Sequence, residues 1–163
     1  MVEQGKLLSP RILFQLVFFV VLVPLSPLLL SRRWDWWEAW VFAVIWTGGL
    51  VASRALAARR HPDLLAERSR FLRHRDTKPW DRVMAPLVGF GSAMIPMAAG
   101  LEACSEPGHA FGLAWTIPAM LFLIGGHALG SWALVENRFF SGVVRIQSDR
   151  GHRVVQGGPY RWI

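Results

Sequence analysis

The residues of this chain that could do chemistry crowd into its last 28 positions. Glu136 and Asn137 are followed by Arg138, Arg145, Arg150, Arg153 and Arg161, with His152, a Val154–Val155 pair and the turn Gly157-Gly158-Pro159-Tyr160 among them. Guanidinium forks bind a carboxylate through paired N–H donors. Tyr160 and Trp162 offer aromatic faces to a planar base, and glycine lets the backbone approach a ligand closely. Together these residue types suit an anionic, partly aromatic ligand. A plainer reading stands beside it, because arginines flanking a membrane helix also fix topology. Metal chemistry has no such pattern: His61, His74, His109, His127 and His152 show no ligand spacing.

The run from Asn137 to Tyr160 resembles the isoprenylcysteine carboxyl methyltransferase family, relatives of the phospholipid methyltransferases. Members carry an Asn at the end of a membrane helix, a hydrophilic turn, His-x-Leu/Val-Val, Gly-x-Tyr and then Arg-His-Pro-x-Tyr. Here Asn137, His152-Arg153-Val154-Val155 and Gly158-Pro159-Tyr160 stand in that order, and Ile163 falls where Arg-His-Pro is due. The stretch His61-Pro62-Asp63-Leu64-Leu65-Ala66-Glu67-Arg68 is also similar to bacterial members.

The resemblance implies an integral-membrane methyltransferase that uses S-adenosylmethionine on a lipophilic acceptor, a prenylcysteine carboxylate or a phospholipid amine. It implies cofactor contacts from His152, Arg153, Val154, Val155 and Tyr160. It adds Arg145, seven positions before His152, where the family often has Gln. It also implies that residues 136–163 are only the start of the cofactor-binding segment. The Arg-His-Pro-x-Tyr segment and a later glutamate complete the pocket in the family, so this chain alone is expected to be inactive. Methyl transfer from a sulfonium asks the protein for alignment, and a carboxylate acceptor needs no base. Two other functions stay open: a sterol-reductase-like NADPH enzyme, and a non-catalytic membrane scaffold or remnant.

The elements that must position these residues are membrane helices. Of the 163 residues, 53% are hydrophobic and 18% charged, and the mean hydropathy is +0.32. That content excludes a disordered chain, and the single Cys104 excludes a disulfide scaffold. No charge interrupts Ile12–Ser31, Ala39–Ser53, Val83–Leu101 or Pro107–Val135. A helix crosses the hydrocarbon in roughly 20 apolar residues. The second run is short, but Trp36, Trp37 and Trp40 at one end and a snorkelling Arg54 at the other extend its reach. The expectation is an all-α polytopic bundle of four spans, near 12–30, 37–56, 83–101 and 113–135. Residues 1–135 form its membrane region.

Cations set the orientation. The net charge is +7, carried by sixteen Arg and two Lys against eleven Asp and Glu. Residues 57–82 hold eight of the cations and the tail after Val135 holds five, whereas the loop between the third and fourth spans holds Glu102 and Glu106 and no Lys or Arg. Lys/Arg-rich loops stay in the cytoplasm. Both termini are therefore expected there, in a bacterial inner membrane, with Arg32 and Arg33 outside as a mild violation. Spread over flanks in this way, and without a zinc or RNA-recognition motif, the cations do not indicate nucleic acid.

Inside the spans, Pro24, Pro27, Pro96 and Pro118 predict kinks that neighbouring helices must satisfy. Gly126 with Gly130, Gly48 with Ala52, and Gly49 with Ser53 read as close-packing pairs. Gly89-Phe90-Gly91 follows no strand and is not a dinucleotide fingerprint. His127 is either an intramembrane functional group or, with no second His or carboxylate near it in sequence, a neutral imidazole bonded to a neighbouring helix. After Pro62, Leu64, Leu65, Phe71 and Leu72 share one side of a short surface helix, and Trp80 anchors entry to the third span. The tail beyond Gln147 has no following helix to hold it and is expected to be loose.

Overall fold

A computed structural model of the chain describes residues 10–69, 77–106 and 111–162. These residues are helical or irregular, with no strand among them. The first span runs as α1 (Pro10–Val17), a π-helical turn (Phe18–Leu22) and α2 (Val23–Ser31). The others are α3 (Trp37–Arg60), α5 (Asp81–Ser105) and α6 (Leu113–Glu136), with a short α4 (Pro62–Ser69) after α3. Single 3₁₀ turns follow at Ser148–Arg150 and Gly158–Trp162.

Proline accounts for the π turn. Pro24 has no N–H, so carbonyls one turn earlier lose their helical partner. Val20 O accepts from Thr47 Oγ1 at 3.3 Å, and Phe19 O accepts from Trp46 Nε1 at 3.0 Å. Pro27 leaves Val23 O in the same position, and Ser26 Oγ donates to it at 2.7 Å. An unmet carbonyl in hydrocarbon is expensive. Three side chains, two of them on α3, therefore let both prolines sit within a span.

Among the described residues, four helices are long and apolar enough to cross a membrane: Leu13–Ser31, Trp37–Arg60, Asp81–Ser105 and Leu113–Glu136. They match the expected spans, with α3 and α5 longer because Arg59, Arg60 and Asp81 extend each helix beyond its apolar stretch. Only 28% to 6% of each span's most apolar window is covered by the rest of the chain. Apolar surroundings must cover what is left, as a lipid bilayer does, and the chain is a multi-pass membrane protein.

Packing follows small residues. α2 lies on α5 and α3 on α6. A Cβ at Gly100 would come within 2.9 Å of Pro27 Cα, so α5 crosses α2 at a point that only glycine permits. A Cβ at Gly49 would sit 2.6 Å from the His127 ring, which also meets Trp46 edge-on at 5.9 Å. His127 is thus a packing residue over Gly49, and its ring makes no hydrogen bond among the described residues. Gly49 and the buried Ser53 behave as the expected close-packing pair. Gly48, Gly126 and Gly130 do not, since each faces open space.

At one end of the bundle, α4 folds back under the helices. Pro62 opens it, and the fully buried Leu64 packs with Ala57 of α3 and Leu134 of α6. This helix therefore turns its apolar side to protein. The Leu65 side chain, Phe71 and Leu72 lie outside the described residues. Trp80 caps α5 and is 58% exposed.

Candidate functional site

The tail is bound to this end of the bundle by acids that the sequence places far away. Asn137 ends α6, and its Oδ1 accepts from Phe139 N at 2.8 Å in an Asx turn. The chain then runs beneath α4 and α5. Val144 O accepts from Lys78 N at 3.0 Å, and Val144 N donates to Asp81 Oδ2. Gln147, 2% exposed, donates to Phe139 O at 2.7 Å. His61 Nε2 lies 3.0 Å from Val135 O, joining the α3–α4 turn to the end of α6.

Both acids of α4 meet tail arginines. Asp63 Oδ2 accepts from Arg138 Nε at 3.0 Å and from Arg150 Nη2 at 2.5 Å. Burial alone would raise the Asp63 carboxyl. The hydrogen bonds from Arg150 and Arg138, and their charges, hold it below the usual carboxylate range. One turn on, Glu67 takes Arg145. Arg150 also donates to Gln147 Oε1 at 2.5 Å and lies over the Phe139 ring. Arg68 donates through Nη1 to Phe140 O at 3.0 Å and Ser141 O at 3.3 Å.

These contacts frame a cleft of about 700 Å³ between the α3–α4 turn, the end of α6 and the tail. Arg60, Asp63, Glu136, Phe139, Arg150 and Arg153 supply its charged and aromatic lining, and Val154 and Val155 its apolar side. Arg60 and Arg153 make no ion pair or hydrogen bond among the described residues, so two guanidiniums on this wall are uncommitted. The volume lies within the range of small-molecule sites. The cleft can hold an anion at its free arginines, a cation or hydroxyl at Glu136, and a flat ring beside Phe139 and the valines.

The sequence-derived candidates separate here. Arg153, Val154 and Val155 line the cleft. His152 does not, and its ring meets Phe139 at 5.0 Å between centroids. Arg145 turns away, and its side chain is 5% exposed against Glu67. Tyr160 sits on the last 3₁₀ turn, which packs along α6, and its hydroxyl is buried with no hydrogen-bond partner among the described residues. That turn needs its glycines. Gly158 has φ +58°, and a Cβ there would stand 2.8 Å from Glu136 Cγ and 3.1 Å from Trp132 Nε1. The tail beyond Gln147, expected to be loose, is thus held through Arg150, Gly158 and an edge-on contact of Trp162 with Trp132 at 5.9 Å.

Sequence reasoning did not pick Arg60, His61, Asp63 or Phe139 as site residues, and it placed Glu136 and Arg150 only among the chemistry-bearing residues of the tail. One signal was available. Asp63 and Glu67 are spaced i, i+4 on a helix opened by Pro62, in an otherwise basic segment, and such a pair calls for cations from elsewhere.

No metal-binding group of three or more His, Cys, Asp or Glu occurs among the described residues. No family model, curated protein or solved structure matches the chain.

Proposed function

We propose that this end of the bundle is a cofactor site for S-adenosylmethionine, in a membrane methyltransferase acting on a lipophilic acceptor. The observation that carries the reading is the cleft itself. At the end of four apolar spans it combines two uncommitted guanidiniums, Arg60 and Arg153, with the carboxylate of Glu136 and the side chains of Phe139, Val154 and Val155. That is the donor set a zwitterionic nucleoside needs. Its carboxylate fits an arginine fork, its ammonium or ribose hydroxyls fit Glu136, and its flat base fits the aromatic and apolar wall. The Tyr160 hydroxyl, outside the cleft lining, is buried without a partner among the described residues. The resemblance of Asn137–Tyr160 to the isoprenylcysteine carboxyl methyltransferase family points the same way.

Bound there, the cofactor supplies an activated methyl group. The chain's own task is alignment. Arg153 and Arg60 would hold the ligand's carboxylate and Glu136 its ammonium or ribose hydroxyls, and the membrane helices would offer the acceptor a lateral path from the lipid. A displacement of ~1 Å at the reacting atoms can cost on the order of a hundredfold in rate. The Asp63 and Glu67 pairs, which fix the tail against α4, are therefore part of the site's precision. In this reading the arginine-rich end faces the cytoplasm, where the cofactor is found.

Photo-crosslinking tests the proposal, because it registers weak binding. The purified chain in detergent is irradiated with labelled S-adenosylmethionine and the labelled peptide is mapped. Label within residues 136–155, reduced by Arg153→Gln and by Glu136→Gln, is the expected result. Label confined to the membrane helices, or competition by NADPH as strong as by unlabelled S-adenosylmethionine, would overturn it.

A further inference from the structure

A second basic site lies outside the cleft, in the α3–α4 hairpin. Ala57 and Leu64 touch across the turn. Arg54 stands three residues before Ala57 on α3, and Arg68 four residues after Leu64 on α4. In two helices folded back on one another, such positions share a face and oppose each other. Both side chains are half-buried. Arg68 is fixed: Nη1 is spent on Phe140 O and Ser141 O, and the guanidinium lies over the Phe140 ring at 5.3 Å. Its Nε and Nη2 edges have no partner among the described residues. Arg54 has none at all there. Burial first, and the Arg54 charge second, push Arg68 down to about 10, so it is still a cation at neutral pH.

Two like charges on facing helices, neither with a carboxylate partner among the described residues, favour an anion. The height of the site says which. Arg54 lies in the last two turns of a candidate membrane span and Arg68 on the short helix that follows it, the part of the fold nearest a headgroup layer when the span crosses a bilayer. Basic pockets at that level, between helices, take anionic headgroups. A phosphate has enough acceptor oxygens to bridge two guanidinium edges.

We propose that Arg54 and Arg68 jointly bind the phosphate of an anionic phospholipid headgroup. The site is separate from the cleft, which neither residue lines, and it does not depend on the methyltransferase reading. Its occupant braces α3 against α4 by cancelling their repulsion.

The test follows thermal unfolding of the full chain in dodecylmaltoside. Dioleoylphosphatidylglycerol, dioleoylphosphatidylcholine and inorganic phosphate are titrated in separate arms. Phosphatidylglycerol should raise Tm saturably at concentrations where the other two do little. Arg54→Gln breaks no bond among the described residues. It should raise the lipid-free Tm slightly and weaken the phosphatidylglycerol response by roughly tenfold or more, the worth of a charge-assisted bond. Arg68→Gln should weaken the response similarly, and Arg59→Gln, on an exposed position, should leave it intact. Equal losses in Arg59→Gln would mean diffuse attraction and overturn the site. An unchanged response in Arg54→Gln would do the same, as would a fall in its lipid-free Tm, which would mean that the chain itself satisfies Arg54. Inorganic phosphate as effective as the lipid would overturn the headgroup assignment.

Discussion

Glu67 Oε1 receives both Nη2 and Nε of Arg145, at 2.8 and 3.0 Å, and the two side chains are 10% and 5% exposed. An arginine of the tail thus neutralises an acid of α4 at the base of the bundle. The geometry leaves Arg145 little freedom to reach a ligand. It acts by positioning the segment that carries Arg150 and Arg153.

Breaking that pair from one side should be costly. Glu67→Gln removes the carboxylate that receives two N–H groups of the buried Arg145, and a loss of about 3–5 kcal/mol in unfolding free energy is expected, as for breaking a buried ion pair. Replacing both charges, with Glu67→Leu and Arg145→Met together, should cost much less, since the desolvation penalty goes with them. Reversible unfolding in mixed detergent micelles measures all three proteins. A double variant as unstable as the single one would show that the pair contributes more than mutual neutralisation.

Asp63 gives the site a pH dependence of definite sign. Its folded-state carboxyl is held below the unfolded value, despite burial, by Arg150 and Arg138. The stability it contributes is therefore fully present above the unfolded pKa of about 3.9, and is lost as pH falls through the lower folded value. Tm of the purified chain should drop as pH is lowered from about 4, and Asp63→Asn should flatten that part of the curve while lowering Tm at neutral pH. A wild-type curve unchanged by Asp63→Asn would show that the pairs of Asp63 with Arg138 and Arg150 contribute no stability. The carboxylate is 39% exposed, so the effect is smaller than for Glu67.

The membrane architecture was legible because hydrocarbon imposes a local rule. Twenty charge-free residues from Ile12 to Ser31 read as a span whatever they pack against. The base of the bundle obeys no such rule. Asp63 meets Arg150 across 87 residues and Glu67 meets Arg145 across 78, and nothing in either segment names its partner. Arg145 could be assigned to a pocket by resemblance, while its burial against Glu67 appears only once α4 is folded under α6. The same holds for the helix interiors. Gly126 and Gly130 have the spacing of a packing pair, yet it is Gly49 that receives His127, because which face meets a neighbour depends on how four helices are arranged.

The prolines of the first span offer a test of that interior. Pro24 strands the carbonyls that Thr47 and Trp46 satisfy. Thr47→Val removes one donor at nearly constant shape, and interhelical hydrogen bonds in membranes are worth about 0.6 kcal/mol on average and up to ~1.7. The expected loss lies in that range. In a Pro24→Ala background the backbone N–H returns, the helix meets its own carbonyl, and Thr47→Val should cost close to nothing. A double-mutant cycle from detergent unfolding reads the difference. Equal costs in both backgrounds would mean that Thr47 acts through packing and not through the freed carbonyl.

Orientation can be decided at Cys104. Arg59, Arg60, Arg68, Arg138, Arg150 and Arg153 gather at the end that holds α4 and the tail, tied together by the contacts of Asp63 and His61. Arg32 and Arg33 stand at the other end, with the last turn of α5, because α5 crosses α2 at Gly100 and Pro27 and both helices finish beyond that point. Lysine and arginine close to span ends set topology by their number, and acidic residues contribute little. By that rule the α4 end is expected inward, an orientation in which Arg32 and Arg33 are carried across. Cys104 is exposed on the last turn of α5. In intact cells it should react with a membrane-impermeant maleimide. A cysteine placed at the exposed Arg161 in a Cys104→Ser background should react only after permeabilisation. The reverse pattern would put the cleft outside the cell, away from any cytoplasmic cofactor, and would remove the methyltransferase reading together with the orientation.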